Sequence, residues 1–502
     1  MIFSLETLLQ LCILLPIFAT LFIVAFRRHQ NLREAVSLAT SLCVFYAVVT
    51  IYLGLDAGET IAVHWLQVLP GLSLSFSVEP LGMIFALIAS FLWFVTIIYS
   101  IGYMRGHNED HQTRFFCCFA IAIGSVMGVA FADNLFTLFI FYEVLTLSTY
   151  PLVTHAGTDA AKKGGRVYLG ILLSTSVAFF LFAILGTWVI AGTLDFTQGG
   201  VFPVDANTTL LGIILVLFIF GIGKAAIMPF HRWLPAAMVA PTPVSALLHA
   251  VAVVKAGVFT VMKVGMFIFG LDLLIVLPTT QFLLYLAGAS VLLASFVAMR
   301  QDNLKARLAY STVSQLGYIT IGVLLATSSG VIASSMNIAM HAFGKITLFF
   351  CAGAILVAAH KSNISEMRGL GRQMPFTMVA FFIGSLSIIG LPPTGGTWSK
   401  WYLLMATLET DQLIIMVILM LSSLLNIAYL MPIPFHAFFS ISPAKNEHGV
   451  ATAKVQIKEA PTASLIAIGI AALGCLVLFI YPNPLYELAS AILEPQQSTH
   501  GN

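Results

Sequence analysis

Long apolar stretches, broken at intervals by short charged or Gly/Pro-rich segments, set the pattern of this 502-residue chain. The runs are about 20 residues long, enough to cross a hydrocarbon layer roughly 30 Å thick at 1.5 Å per residue. Read between the breaks, they predict an all-α polytopic membrane protein with about fourteen spans. In the first half these fall near 7–26, 34–54, 81–103, 115–132, 134–153, 167–191 and 208–230. In the second half they fall near 243–270, 273–298, 308–326, 331–359, 376–410, 412–440 and 462–481. Residues 60–80 break the pattern: apolar and polar side chains alternate there (His64, Gln67, Ser73, Ser75, Ser77), which predicts an extended hairpin outside the bilayer.

Charge placement supports this map. Eighteen of the 23 Lys/Arg residues lie in the loops that follow odd-numbered spans. The loops after even-numbered spans, and both ends of the chain, contain none. Positive-inside orientation then puts the Lys/Arg-rich face in the cytoplasm and both termini outside, in an inner (cytoplasmic) membrane. Arg27, Arg28 and Arg33, or Lys162, Lys163 and Arg166, read as solvated topology signals of this kind.

Composition adds exclusions. Hydrophobic residues make up 59% of the chain and charged residues 9%, against roughly 25% charged in soluble proteins. That leaves material for one integral membrane domain in contact with lipid and none for a soluble one. The first apolar run continues to Phe26 with no basic flank before it, so it reads as a span rather than a signal peptide. A net charge of +2 without a clustered basic face argues against nucleic-acid binding. The six cysteines sit in apolar runs without metal-ligand spacing, giving no disulfide framework and no iron–sulfur or haem motif. No cofactor and no metal is expected.

Five lysines remain inside spans: Lys224, Lys255, Lys263, Lys345 and Lys400. A lysine at a helix centre costs roughly 2.5–3.5 kcal/mol to insert, so five left alone would forfeit on the order of 12–17 kcal/mol. They are expected to face the protein interior with water or partners. Structural ion pairing or snorkelling is the alternative for each, and it weighs most for Lys263, about eight residues from the outer loop. Glu143 is the one acidic residue in mid-span, about 14 Å beyond Asn134 at helical rise. A carboxylate there holds its charge only beside a cation, so a Glu–Lys pair is expected. Histidines recur beside the lysines: His249 shares a span with Lys255, and His341 lies one turn from Lys345. Packing explains a buried histidine as well as a relay does, although an ordinary pKa of about 6.5 suits proton hand-off.

Two spans look broken. Lys224 is followed by Pro229, Pro235, Pro241 and Pro243, and Lys400 is preceded by Gly-Leu-Pro-Pro-Thr-Gly-Gly at 390–396. Non-helical backbone at membrane depth persists only where it is buried or lines water, and charges beside broken helices mark transporters. The breaks fall in the seventh and twelfth spans. An offset of five spans inverts topology, so spans 4–8 and 9–13 are expected to be inverted repeats. The expected organisation is 1–114 for the first three spans and hairpin, 115–270 and 271–440 for the two repeats, and 441–502 for a loop, the last span and a tail.

At these residues the chain resembles the proton-translocating, antiporter-like subunits shared by respiratory complex I and Mrp-type cation/proton antiporters. The resemblance runs from about residue 75 to 435. Its most specific block is Lys-Ala-Ala-Ile-Met-Pro-Phe-His-Arg-Trp-Leu-Pro-Ala-Ala-Met-Val-Ala-Pro-Thr-Pro-Val-Ser-Ala-Leu-Leu-His-Ala at 224–250, followed by Val-Val-Lys-Ala-Gly at 253–257. Asp133-Asn134-Leu135 through Glu143, Leu308-Ala309-Tyr310-Ser311-Thr312-Val313-Ser314-Gln315-Leu316-Gly317, and the Pro-Pro-to-Ser-Lys stretch ending at Lys400 are also similar. The resemblance implies a fourteen-helix core with two inverted five-helix repeats. It implies a path from Glu143 and Lys224, through His249, Lys255, His341 and Lys345, to Lys400. It also implies other membrane subunits as partners, with protons and either Na+ or K+ as the ions moved.

The chain departs from the family at Glu79, where Asp is common, and at Thr397, where Phe is common. It ends soon after the last expected span, without a long lateral helix or extra C-terminal helices. A mid-sized Mrp D-type subunit fits these features, with the complex I subunit of the same size as the alternative. A membrane-embedded enzyme would need a paired-carboxylate or metal motif that the sequence lacks, and Gly221-Ile-Gly223-Lys224 is no P-loop. A purely structural scaffold would not need five buried lysines.

Overall fold

The computed structural model describes residues 3–440 and 456–494 of the chain. Among these described residues, eleven helices are long and apolar enough to cross a membrane. They are α1 (Leu5–Ala25), α2 (Gln30–Asp56), α3 (Pro80–Gly106), α4 (Gln112–Ala130), α5 (Leu135–Val153), α6 (Asp159–Ala191), α8 (Thr242–Phe269), α9 (Pro278–Arg300), α11 (Ser328–Ala359), α14 (Leu413–Phe439) and α15 (Thr462–Ile480). The three other expected spans fall on α7 (Thr208–Gly221), on α10 (Leu304–Leu324), and on the pair α12 (Pro375–Ile389) and α13 (Gly396–Glu409). A short helix that the hydropathy pattern does not predict, α16 (Asn483–Ala491), follows α15. The expected charged loop and the tail lie outside the described residues at 441–455 and 495–502.

Local chemistry explains where the helices start. Ser4, Asn134, Thr158, Asn207, Asn303 and Thr327 each cap a helix through a side-chain oxygen that accepts from a backbone N–H of the first turn. Pro80, Pro278 and Pro375 stand in first turns, where a missing N–H costs nothing. The Thr158 cap starts α6 eight residues ahead of the apolar run, because its first two turns carry Lys162, Lys163 and Arg166.

The hairpin expected at 60–80 is present: β1 (Ala62–Leu69) pairs antiparallel with β2 (Leu72–Ser77), with Ala62 opposite Ser77. It is pinned to the start of α5, where the Asn134 amide donates to Ser73 O at 2.9 Å and the Ser75 N–H to Thr137 Oγ1 at 3.1 Å. The α8 helix is wholly buried and packs against both α10 and α11, so the centre of the bundle lies where these three meet. Two wider π-helical turns, Leu247–Val251 and Val264–Phe269, interrupt α8. Such turns recur at functional sites because they re-aim side chains out of the regular helical register.

A chain of buried amines across the bundle

Lys224, Lys255, Lys263 and Lys345 are fully buried, and Lys400 is half-buried. The first stands where α7 stops. After Gly221 the backbone makes a single tight turn over Gly223–Ala225, and Ala226 adopts a left-handed conformation at φ 54°. Trp233 fixes the turn by donating its indole N–H to Gly223 O at 2.9 Å. The turn directs Lys224 at α5, where its ammonium donates to Tyr142 O at 2.8 Å and Thr146 Oγ1 at 2.6 Å. It also lies 3.1 Å from the centre of the Tyr142 ring, a close cation–π contact.

The direct Glu143–Lys224 ion pair expected from the sequence is not formed. No ion pair joins the two within 4.0 Å, and both Glu143 oxygens are buried without a hydrogen-bond partner among the described residues. Helical geometry gives the reason. Tyr142 and Thr146 are one turn apart on one face of α5, and Glu143 projects about 100° around from Tyr142. Lys224 docks on the Tyr142–Thr146 face, so Glu143 acts on it through electrostatics at longer range.

The middle of the bundle holds a closer contact. Lys255 Nζ and His341 Nδ1 are 2.8 Å apart, linking α8 to α11. His249 lies in the first π turn of α8, against the Phe349 ring at 4.9 Å, with both ring nitrogens lacking a hydrogen-bond partner among the described residues. Lys345 donates to Leu308 O at 3.1 Å. The helices thus bring Lys255 and His341 into contact, with His249 on the same helix as Lys255 and Lys345 one turn from His341.

Lys400 stands at the second break. Gly390, at φ 86°, ends α12, and α13 begins at Gly396, where a Cβ would overlap Ser387 O. The interruption frees Ile389 O, which accepts from Lys400 Nζ at 2.8 Å, and Ser423 Oγ accepts at 3.0 Å. A cavity of about 280 Å³ opens here, with Lys400, Tyr318 and Ser423 as polar points on a wall of leucines. At 1.5 Å per residue, Thr146, Lys255, Lys345 and Ile389 lie about 10, 20, 21 and 21 Å from the Lys/Arg-rich ends of their helices. By this measure Lys255, Lys345 and the carbonyl that holds Lys400 lie at similar depth, and Thr146, the partner of Lys224, lies about 10 Å nearer the Lys/Arg-rich face.

Lys263 belongs elsewhere. Its ammonium is 2.5 Å from Glu79 Oε1, with the Phe196 and Phe267 rings at 4.0 and 4.9 Å. This buried pair joins α8 to the start of α3, away from the row. Among the described residues, no group of three His, Cys, Asp or Glu side chains converges as a metal site.

The fold and the row of amines define an antiporter-like membrane protein, and comparison with known proteins gives the family. Residues 132–426 match the family described as NADH:quinone oxidoreductase/Mrp antiporter membrane proteins, and residues 65–116 match the complex I chain 5 N-terminus. The chain belongs to this family. It is 30% identical to NADH-quinone oxidoreductase subunit N of Desulforudis audaxviator, over 80% of this chain and 81% of that one. It is 32% identical to a probable K(+)/H(+) antiporter component of Rhizobium meliloti, over 81% of this chain but 40% of the relative. In three dimensions it resembles a chain of the Mrp complex from Dietzia, with a TM-score of 0.84 at 20% identity over 98% of this chain and 97% of that one. A chain of an archaeal membrane-bound sulfane sulfur reductase superposes with a TM-score of 0.83 at 23% identity, over 97% of this chain and 98% of that one.

Proposed function

We propose that this chain is the proton-translocating subunit of a multi-subunit cation/proton antiporter of the Mrp D type. It moves protons along a row from Glu143 and Lys224, through His249, Lys255, His341 and Lys345, to Lys400. The observation that carries this reading is the 2.8 Å contact between Lys255 and His341, buried at the junction of α8 and α11. Two groups that both bind protons share one hydrogen bond there, and among the described residues no carboxylate pairs with either. Two positive charges so close repel strongly, so protonating one favours releasing the proton of the other.

Proton flux in vesicles carrying the assembled complex tests the reading. Lys255→Met keeps the bulk of the side chain and deletes the charge, so the complex should assemble and flux should vanish. Normal flux in that variant removes Lys255 from the path.

A second reading has its own support. The Desulforudis relative is named for an NADH-quinone oxidoreductase and matches this chain along 81% of its length. On that reading distant redox chemistry drives the same row. Flux that follows an imposed Na+ or K+ gradient supports the antiporter, and flux that requires NADH and quinone supports the redox arm.

A further inference from the structure

The last turns of α14 stand apart from the rest of that helix. Pro432 and Pro434 lack the backbone N–H that would continue its bonding. The regular helix therefore stops at Leu430 and resumes as a short segment, Pro432–Phe439. This segment packs against α12 and leaves a groove of about 190 Å³ between them. Val379 and Phe382 of α12 form one wall, and Pro434, Phe435, Phe438 and Phe439 of α14 form the other. Phe382 lies seven residues past Pro375, about 10 Å along the helix. The groove thus covers the outermost part of the apolar layer on the Lys/Arg-rich side, where Phe435 and Phe439 are exposed.

The loop before α12 sets basic residues at the mouth of this groove. Gly369 donates its N–H to His436 O at 3.1 Å. A Cβ on Gly371 would come within 2.7 Å of the Phe438 ring and 3.0 Å of the Ala437 carbonyl carbon. The loop backbone therefore lies flat against the end of α14, with Arg368 and Arg372 on either side of the contact. Gln373 O accepts from the Lys458 N–H at 2.9 Å, which brings a third cation to the same loop. Arg368, Arg372 and Lys458 are exposed and form no ion pair within 4.0 Å among the described residues.

The acids of this region are engaged elsewhere. Glu459 caps α12, accepting from the Phe376 and Thr377 N–H groups at 2.8 and 3.3 Å and from the Thr377 hydroxyl at 2.6 Å. Glu366 accepts from the Asn363 N–H at 3.1 Å. Basic loops on this face also serve as topology signals, and solvated cations need no partner. That account leaves the groove unexplained. Cations at the mouth of an apolar slot, at headgroup depth, suit a phosphate ester that carries hydrocarbon chains. A partner helix suits it less, because one helical turn with its side chains occupies about 400 Å³ or more, twice the volume of the groove.

We propose that this groove is a binding site for an anionic phospholipid from the leaflet on the Lys/Arg-rich side. Arg368, Arg372 and Lys458 hold the phosphate, and one acyl chain lies between Val379 and Phe382 on one side and the α14 phenylalanines on the other. The site does not depend on how protons move along the amines. Its occupant packs between α12 and α14, the helices whose Ile389 O and Ser423 Oγ hold Lys400.

The test titrates phosphatidylglycerol into the detergent-purified complex and counts bound lipid by native mass spectrometry. Arg368→Gln with Arg372→Gln should weaken binding about thirtyfold, at roughly fivefold for each basic residue near an anionic headgroup. Val379→Trp fills the groove without touching a charge, and should weaken binding by about tenfold or more, the worth of two or more buried methylenes. Inorganic phosphate should not displace the lipid, because it has no chain to place in the groove. Arg27→Gln with Arg28→Gln removes two exposed arginines elsewhere on the same face and should change nothing. Unchanged binding in either groove variant overturns the proposal and leaves the groove to residues 441–455 or to another subunit. Displacement by inorganic phosphate overturns it too, as does an equal loss in the Arg27 and Arg28 variant, which would mean attraction spread over the whole face. Should the double variant at 368 and 372 not assemble, Arg372→Gln takes its place, with a loss of about fivefold as the criterion.

Discussion

A buried amine must be satisfied by its neighbours, and the lysines here divide by what satisfies them. Lys224 and Lys400 use backbone carbonyls and a hydroxyl. Lys263 instead has a carboxylate, Glu79. Removing one member of a buried ion pair strands the other charge, at about 3–5 kcal/mol. Glu79→Gln should therefore lower the melting temperature and yield of the purified complex, and Glu79→Gln with Lys263→Met should recover most of the loss. A single variant as stable as the wild type would show that the pair is solvated. The lysines were legible in the sequence because a charge in a membrane span is costly wherever it points. Their partners were not. A helical hydroxyl commonly bonds the carbonyl one turn back, as Thr146 does to Tyr142 O at 3.2 Å, so nothing in the sequence distinguished Thr146 or Ser423. Glu79 stands just before Pro80, within the hairpin expected at 60–80 and outside the expected spans.

Among the helices, the two breaks were legible from their prolines and glycines, whereas the π turns of α8 were not. The apolar run through α8 is uninterrupted in hydropathy, and a widened turn leaves no mark in composition. Close packing there falls on Gly257. A Cβ at this position would overlap the carbonyl carbon of Lys224 and the N of Ala225. Those are backbone atoms of the tight turn itself and cannot swing aside as a flexible side chain can. Gly257→Ala should separate α8 from the turn and weaken the Lys224–Thr146 bond, lowering both assembly and flux, as blue-native gels and vesicle assays would register. Wild-type behaviour in this variant would mean that α8 and the turn are less tightly apposed. The α16 helix escaped notice for another reason: nine residues of mixed character are too short for a periodic signal.

At the scale of the whole bundle, orientation is the expectation most open to direct test. Ser4 and Glu59 are exposed at the face poor in Lys/Arg, and Ser362 is exposed at the opposite one. Cysteines at positions 4 and 59 should react with an impermeant reagent in intact spheroplasts, and one at 362 should react only after lysis. The reverse pattern would invert the protein in its membrane. The row of amines has an electrical consequence in either orientation. Lys255, Lys345 and the carbonyl that holds Lys400 share a depth of about 20–21 Å by helical rise. On the proposed path, a proton passed among them would travel sideways and cross almost none of the transmembrane field. If the proposed path holds, voltage would leave the order of hand-off between the amines to their mutual repulsion.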